Sequence, residues 1–185
     1  MRKLIMWNLL TLDGMFEGPK SWDLDWHLDV WGPELEQISL EQLHTADMLL
    51  FGRTTYEGMA AHWQTAQGEI ADLMNQLPKA VYSHTLASAD WSHTRLIQDN
   101  AVQETIRLKQ EGSGNLFIFG SADLSSTFIR HSLFDEYRLA LVPVVLGRGK
   151  PLFKPDQDRL QLHLIETQTL STGCVILRYE PKRPH

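Results

Sequence analysis

A chain of 185 residues with 43% hydrophobic residues is long enough to bury a substantial core as one domain, residues 1–185. Its formal net charge of -6 argues against general nucleic-acid binding, which needs a basic face. No apolar run approaches membrane-spanning length. The N-terminal stretch Met1–Trp7 carries positive charge but reaches Asn8 and Asp13 too soon for a signal-peptide core. The single cysteine, Cys174, cannot form an intrachain disulfide and reads as an inert core thiol, so a cytoplasmic protein is expected.

Leu4 to Leu10 is apolar apart from Asn8 and predicts a buried first strand. Thr11-Leu12-Asp13-Gly14 turns the chain into a loop that runs through a tryptophan-rich stretch, Trp22 to Trp31. Pro33 suits a first helical turn, and Leu35, Ile38, Leu40 and Leu43 continue a helix to about His44. Asp47 to Phe51 is a second strand, followed by a helix from Thr54 and another around Ile70, Leu73, Met74 and Leu77. Lys79 to Ser83 and Arg95 to Ile97 read as short strands, and Ala101 to Gln110 as a helix. Leu116 to Phe119 is the clearest buried strand; it ends at Gly120-Ser121 and leads into a helix with Leu124, Phe128 and Ile129 facing inward. A long strand spans Tyr137 to Val145, Gly147-Arg148-Gly149 is a turn, and Leu160–Thr169 with Cys174–Tyr179 forms a closing antiparallel pair. Strands alternating with helices before a β-rich end predict a mostly parallel sheet, helices on both faces and an antiparallel C-terminal edge.

In such sheets ligands bind outside the carboxyl ends of the strands. Four strand ends carry polar and small residues: Thr11 to Gly14, Gly52 to Thr55, Ser83 to Thr85, and Gly120 to Asp123. Gly52-Arg53-Thr54-Thr55 gives a helix start with free N–H groups, two hydroxyls and a guanidinium. That donor set suits nucleotide phosphates; the competing reading is a capped helix with a solvated arginine.

In their order and spacing, these pieces resemble the dihydrofolate reductase-like superfamily, and most of all the RibD C-terminal (riboflavin biosynthesis reductase) domain family and its stand-alone relatives. The residues carrying the resemblance are Leu12-Asp13-Gly14, Gly52-Arg53-Thr54-Thr55-Tyr56-Glu57, Tyr82-Ser83-His84-Thr85-Leu86, Phe119-Gly120-Ser121-Ala122-Asp123-Leu124, Asp135-Glu136-Tyr137 and Pro143 to Gly149. The resemblance implies an α/β, dihydrofolate reductase-like fold. It also implies an NADPH-dependent reductase that transfers hydride to a pterin-like or pyrimidine-like heteroaromatic small molecule, with a non-catalytic nucleotide-binding protein of the same fold as the alternative. By that resemblance Arg53, Thr54 and Thr55, with Gly52, hold cofactor phosphates. Ser83 and His84 lie beside the adenosine 2′-phosphate, Gly120, Ser121, Ala122, Asp123 and Leu124 let the backbone approach the pyrophosphate and nicotinamide ribose, and Leu12-Asp13-Gly14 closes over the nicotinamide.

The chain departs from the family pattern at three places. His84 stands where arginine is frequent, and a histidine is mostly neutral at pH 7, so NADH is an acceptable cofactor beside NADPH. The usual Gly-Gly pair is Gly120-Ser121; in the dihydrofolate reductases that pair carries a cis peptide, which costs roughly 3–4 kcal/mol before a non-proline residue. The folate-type acid falls at Glu36 when counted back without gaps from Gly52-Arg53, and several residues earlier when Trp22-Asp23-Leu24 is matched to the family's Trp-x-Leu segment. Proton donors to consider are therefore Asp13, Glu36 or an ordered water. Asp13 also fits ordinary turn chemistry, and Glu36 a solvated helix carboxylate.

Trp22, Trp26 and Trp31 can pack as a lid, bury an interface or wall a flat substrate. The eight histidines, His27, His44, His62, His84, His93, His131, His163 and His185, show no metal-ligand spacing, and no metal is expected. A two-fold homodimer is expected through Tyr137–Val145 or the Leu160–Tyr179 pair.

Overall fold

The computed structural model describes residues 1–182; His185 lies outside the described residues. In chain order the elements are β1 (Leu4–Thr11), β2 (Met15–Glu17), α1 (Pro33–His44), β3 (Ala46–Gly52), α2 (Arg53–Trp63), α3 (Glu69–Gln76), β4 (Lys79–Tyr82), β5 (Thr94–Ile97), α4 (Ala101–Gln110), β6 (Asn115–Phe119), α5 (Ala122–Arg130), β7 (Glu136–Val142), β8 (Lys150–Pro151), β9 (Leu162–Thr169) and β10 (Val175–Pro181). Eight of the strands form one sheet in the order β5-β4-β3-β6-β1-β7-β10-β9. Pairing is parallel from β5 to β7 and antiparallel from β7 through β10 to β9.

The central strands are apolar on both sides because both sides are covered. On β1, Ile5 and Trp7 join one core while Leu4, Met6 and Leu10 join the other. β3 divides in the same way, with Leu49 and Phe51 against Leu50, and β6 places Phe117 against Leu116 and Ile118. This is the period-two alternation of a strand with two buried faces. The first core packs against α1, α2 and α3 through Leu35, Leu43, Tyr56, Ala60 and Met74. The second packs against α4 and α5 through Leu108, Phe128 and Ile129.

Neighbouring strands β3 and β6 thus send their following helices to opposite faces of the sheet. A crevice opens at their carboxyl ends, which is where ligands bind in sheets of this kind.

Several sequence expectations need correction. The strand expected over Tyr137–Val145 stops at Val142, because Pro143 has no N–H to continue the ladder. It is also internal, between β1 and β10, so it offers no free edge for a dimer. The tryptophan-rich stretch, read as loop, contains a short 3₁₀ turn, Asp25–Asp29. The small β2–β8 pair was not foreseen, since strands of three and two residues are too short to show a period. Among the described residues, no helix is long and apolar enough to cross a membrane.

Candidate active site

The crevice continues into a cleft of about 1060 Å³ that runs from the ends of β4 and β5 to the segment between β2 and α1. At its centre the starts of α2 and α5 touch. Ser121 donates its N–H to Thr55 Oγ1 at 3.0 Å, and Gly52 donates its N–H to Ser121 Oγ at 3.0 Å. Gly120 donates its N–H to Asn8 Oδ1 at 2.8 Å. These bonds hold Gly120 and Ser121 in the left-handed region, each with φ 54°. That conformation is uncommon for a residue with a Cβ and persists only where the surroundings over-determine it. At Gly120 a Cβ would come within 3.3 Å of the Thr55 side chain, so the backbone there lies close to α2. The Gly120–Ser121 peptide is trans; the described residues contain no cis peptide.

Neither α2 nor α5 has a side-chain cap among the described residues, which leaves first-turn N–H groups without such partners at the crevice. Arg53 extends along the rim, where its Nε donates to Glu57 Oε1 at 3.0 Å and its Nη1 to Thr85 Oγ1 at 2.7 Å. Asp123 forms an ion pair with Lys154 across the mouth.

Of the residues singled out from sequence, Gly52, Arg53, Thr54, Thr55, His84 and Gly120 through Leu124 all line this one cleft. Leu12, Asp13, Glu36 and Ser83 do not. Leu12 is exposed. The Ser83 hydroxyl accepts the N–H groups of Thr85 and Leu86 and shapes its own turn. Glu36 projects from the exposed side of α1.

The Asp13 carboxylate is occupied as a clamp. It accepts from Thr11 Oγ1 at 2.6 Å, from Gly147 N at 2.8 Å and from Leu146 N at 3.3 Å. The Thr11 hydroxyl first, and then the Gly147 N–H, hold its carboxyl below the usual range. The Gly147-Arg148-Gly149 turn is explained by the same contacts. Gly147 has φ 73°, and a Cβ on Gly149 would fall 2.5 Å from the Glu17 carbonyl oxygen.

Sequence reasoning missed Asn8, Glu17, His27, Gln42, Asp99 and Lys150, all of which line the cleft. Asn8 left one signal, as the polar residue inside an apolar strand. The others gave none. Glu17 is buried; its Oε1 accepts the Trp22 N–H at 2.5 Å, and its Oε2 pairs with Lys150 at 2.5 Å. Trp22 has φ 61°, and its ring lies directly on α2, where a Cβ on Gly58 would sit 1.8 Å from it. Trp22 and Trp31 line the cleft, together with Trp7 and Trp63, whereas Trp26 and Trp91 are buried in the core. Burial pushes the His27 imidazole down to about 4, so the ring is neutral at physiological pH. Among the described residues, no three His, Cys, Asp or Glu side chains cluster as a metal site would need.

A crevice between two helix starts, opening into a tryptophan-lined chamber on an eight-stranded α/β sheet, goes with a dihydrofolate reductase-like fold. The structure of Enterococcus faecalis dihydrofolate reductase complexed with NADP(H) superposes with a TM-score of 0.66 at 13% identity, covering 98% of this chain and 97% of that one. A protein provisionally named for riboflavin biosynthesis, from Shewanella sp. PV-4, superposes with a TM-score of 0.80 at 22% identity, covering 98% and 99%.

The family model for the RibD C-terminal domain matches residues 2–176, and the chain belongs to that family, which is of reductase type. The uncharacterized protein YyaP of Bacillus subtilis (strain 168) is 32% identical over 183 residues, covering 96% of this chain and 94% of the relative.

Proposed function

We propose that residues 1–185 act as one reductase domain that uses NADPH, or NADH, to reduce a pterin-like or pyrimidine-like heteroaromatic small molecule in the cytoplasm. The observation that carries this reading is the meeting of two helix starts without side-chain caps at one crevice, beside a chamber walled by tryptophan. Their first-turn N–H groups, the hydroxyls of Thr54 and Thr55 and the Arg53 guanidinium would hold the cofactor phosphates. Gly52 and Gly120 let the two helix starts lie close together: a Cβ on Gly52 would meet Ser121 and Leu124, and one on Gly120 the Thr55 side chain. When bound, the cofactor supplies the hydride. The chain's part is to orient two flat rings and exclude bulk water with Trp22 and Trp31. Asp13 is committed to its clamp and Glu36 lies outside the cleft, so the proton comes from water admitted to the cleft.

At the adenosine end His84 Nδ1 lies 3.7 Å from Asp99 Oδ1. A carboxylate there suits a ribose 2′-hydroxyl, which supports weak discrimination between NADPH and NADH.

That neither Asp13 nor Glu36 reaches the cleft favours the second reading, a nucleotide binder without turnover. The buried Glu17 carboxylate, which keeps a charged group inside the chamber wall, favours the enzyme. Calorimetric titration with NADPH and NADH, followed by a panel of oxidised heteroaromatic rings read at the reduced-nicotinamide absorbance band, separates them. Binding with turnover of any ring supports the reductase; binding with none supports the binder. No binding of either nucleotide at millimolar concentration overturns both.

We also propose a two-fold homodimer through the β9 edge, which leaves Leu164 and Ile165 exposed. A monomer mass by light scattering at micromolar concentration would remove that assembly.

A further inference from the structure

The end of the cleft bounded by α1 and the segment between β2 and α1 is an apolar recess among three helices. Met59 and Trp63 of α2 and Ile70 of α3 line it and are partly exposed to it, with Met74 of α3 and Leu43 of α1 buried behind them. Met59 and Trp63 follow Arg53 along α2 by about 9 and 15 Å, at 1.5 Å per residue. The recess is therefore out of reach of the guanidinium at the start of α2, which Glu57 and Thr85 already hold.

Of the cleft-lining residues that α1, α3 and the later turns of α2 supply, none is charged. Their polar atoms are largely spent. Ser39 Oγ donates to the Leu35 carbonyl at 2.8 Å, and Trp63 Nε1 donates to Met59 Sδ at 3.2 Å. Gln42 is buried, with its Oε1 taken by Arg138. The charged groups of the cleft wall are engaged elsewhere. Glu17 is matched by Lys150, Asp123 by Lys154, and Asp99 stands beside His84 at the ends of β4 and β5. The remaining titratable group of the wall, His27, is neutral.

Trp22 and Trp31 complete the recess on its open side and are 38% and 47% exposed. Large apolar side chains left open beside a concave apolar wall are the mark of a binding site. Flat indoles and an adaptable thioether suit a planar group without charge.

We infer that this recess takes an uncharged aromatic arm carried by the substrate's heteroaromatic ring, and that it rejects an arm ending in a carboxylate or phosphate. The inference rests on the reading of the cleft as a reductase site. Its physical reason is desolvation. An anion brought among Met59, Trp63 and Ile70 loses water and gains no cation, whereas a phenyl group exchanges water for indole and thioether contacts.

The test titrates pterin, 6-phenylpterin and 6-(4-carboxyphenyl)pterin into the whole chain without nucleotide, read by calorimetry. The phenyl compound should bind at least about tenfold more tightly than pterin, the scale of burying an apolar ring. It should also bind at least about tenfold more tightly than the carboxyphenyl compound, the scale of leaving a buried charged group unpaired. Ile70→Arg and Met59→Lys each place a cation at the recess and should narrow or reverse that second ratio. No gain from the phenyl arm overturns the inference, and so does equal or tighter binding of the carboxyphenyl compound. Failure of all three compounds to bind also overturns it, as does an unchanged ratio in both variants when their circular dichroism matches wild type. NADPH is titrated separately. Nucleotide binding without a phenyl preference removes this inference alone, and a phenyl preference without nucleotide binding removes the reductase reading alone.

Discussion

Replacing Arg53 by alanine tests the phosphate cradle at its most exposed donor. The guanidinium sits at the first position of α2 and is held by Glu57 and Thr85, with its side chain about half exposed. A hydrogen bond to a charged group contributes roughly 1.5–3 kcal/mol. Against this stands the exposed Arg53–Glu57 pair, which competes for the same guanidinium and is worth about 0.3–0.5 kcal/mol. The net loss expected for Arg53→Ala is therefore about 1–2.5 kcal/mol, or roughly 5- to 60-fold in the NADPH dissociation constant. Glu57→Gln removes the competitor and should tighten binding by about twofold. Calorimetry at fixed ionic strength reads both. If wild type binds NADPH and Arg53→Ala binds it with the same constant, the guanidinium does not contact phosphate and the cradle must be redrawn without it.

Glu136→Gln should destabilise the chain by about 3 kcal/mol, the lower end for breaking a buried charge network, because Arg178 keeps a second partner in Glu166. Burial pushes the Glu136 carboxyl up, but the bonds from Arg138 and then Arg178 outweigh it and hold the group below its ordinary 4.5. Its contribution is then fully present above pH 4.5 and is lost as pH falls through the depressed value. In urea titrations the gap between wild type and variant should accordingly narrow on acidification, and a gap that stays constant into strong acid would contradict the ion-pair assignment. Gly58→Ala adds about 1 kcal/mol of helix propensity, but its Cβ displaces the Trp22 ring. Tryptophan emission should shift to the red and ring binding should weaken; unchanged emission would mean Trp22 does not lie on α2 in solution. Cys174, buried with its thiol pushed up to about 11, should resist alkylation at pH 8 until denaturant is added. Rapid reaction in the native state would show that the core opens there.

Local patterning determined much of the framework. The apolar runs around Leu116–Phe119 and Leu4–Leu10, and the helix Ala101–Gln110, were legible because strand and helix periods and glycine breaks act over a few residues. The residues following β3 and β6 were legible as two glycine-led helix starts for the same reason: a strand, a glycine and a helix start are contiguous in the chain.

What only the tertiary structure decided is how the remaining polar side chains are spent. Asp13 looked available until Gly147 N–H, far along the chain, took its carboxylate. Gln42 carried no signal in the sequence; its oxygen is taken by Arg138, on a different element. Glu17 and Lys150 came together only through the β2–β8 pair, which has too few residues to announce itself. Hydrogen-bond partners distant in sequence fix which atoms of a polar side chain are already taken, and no periodicity encodes that choice.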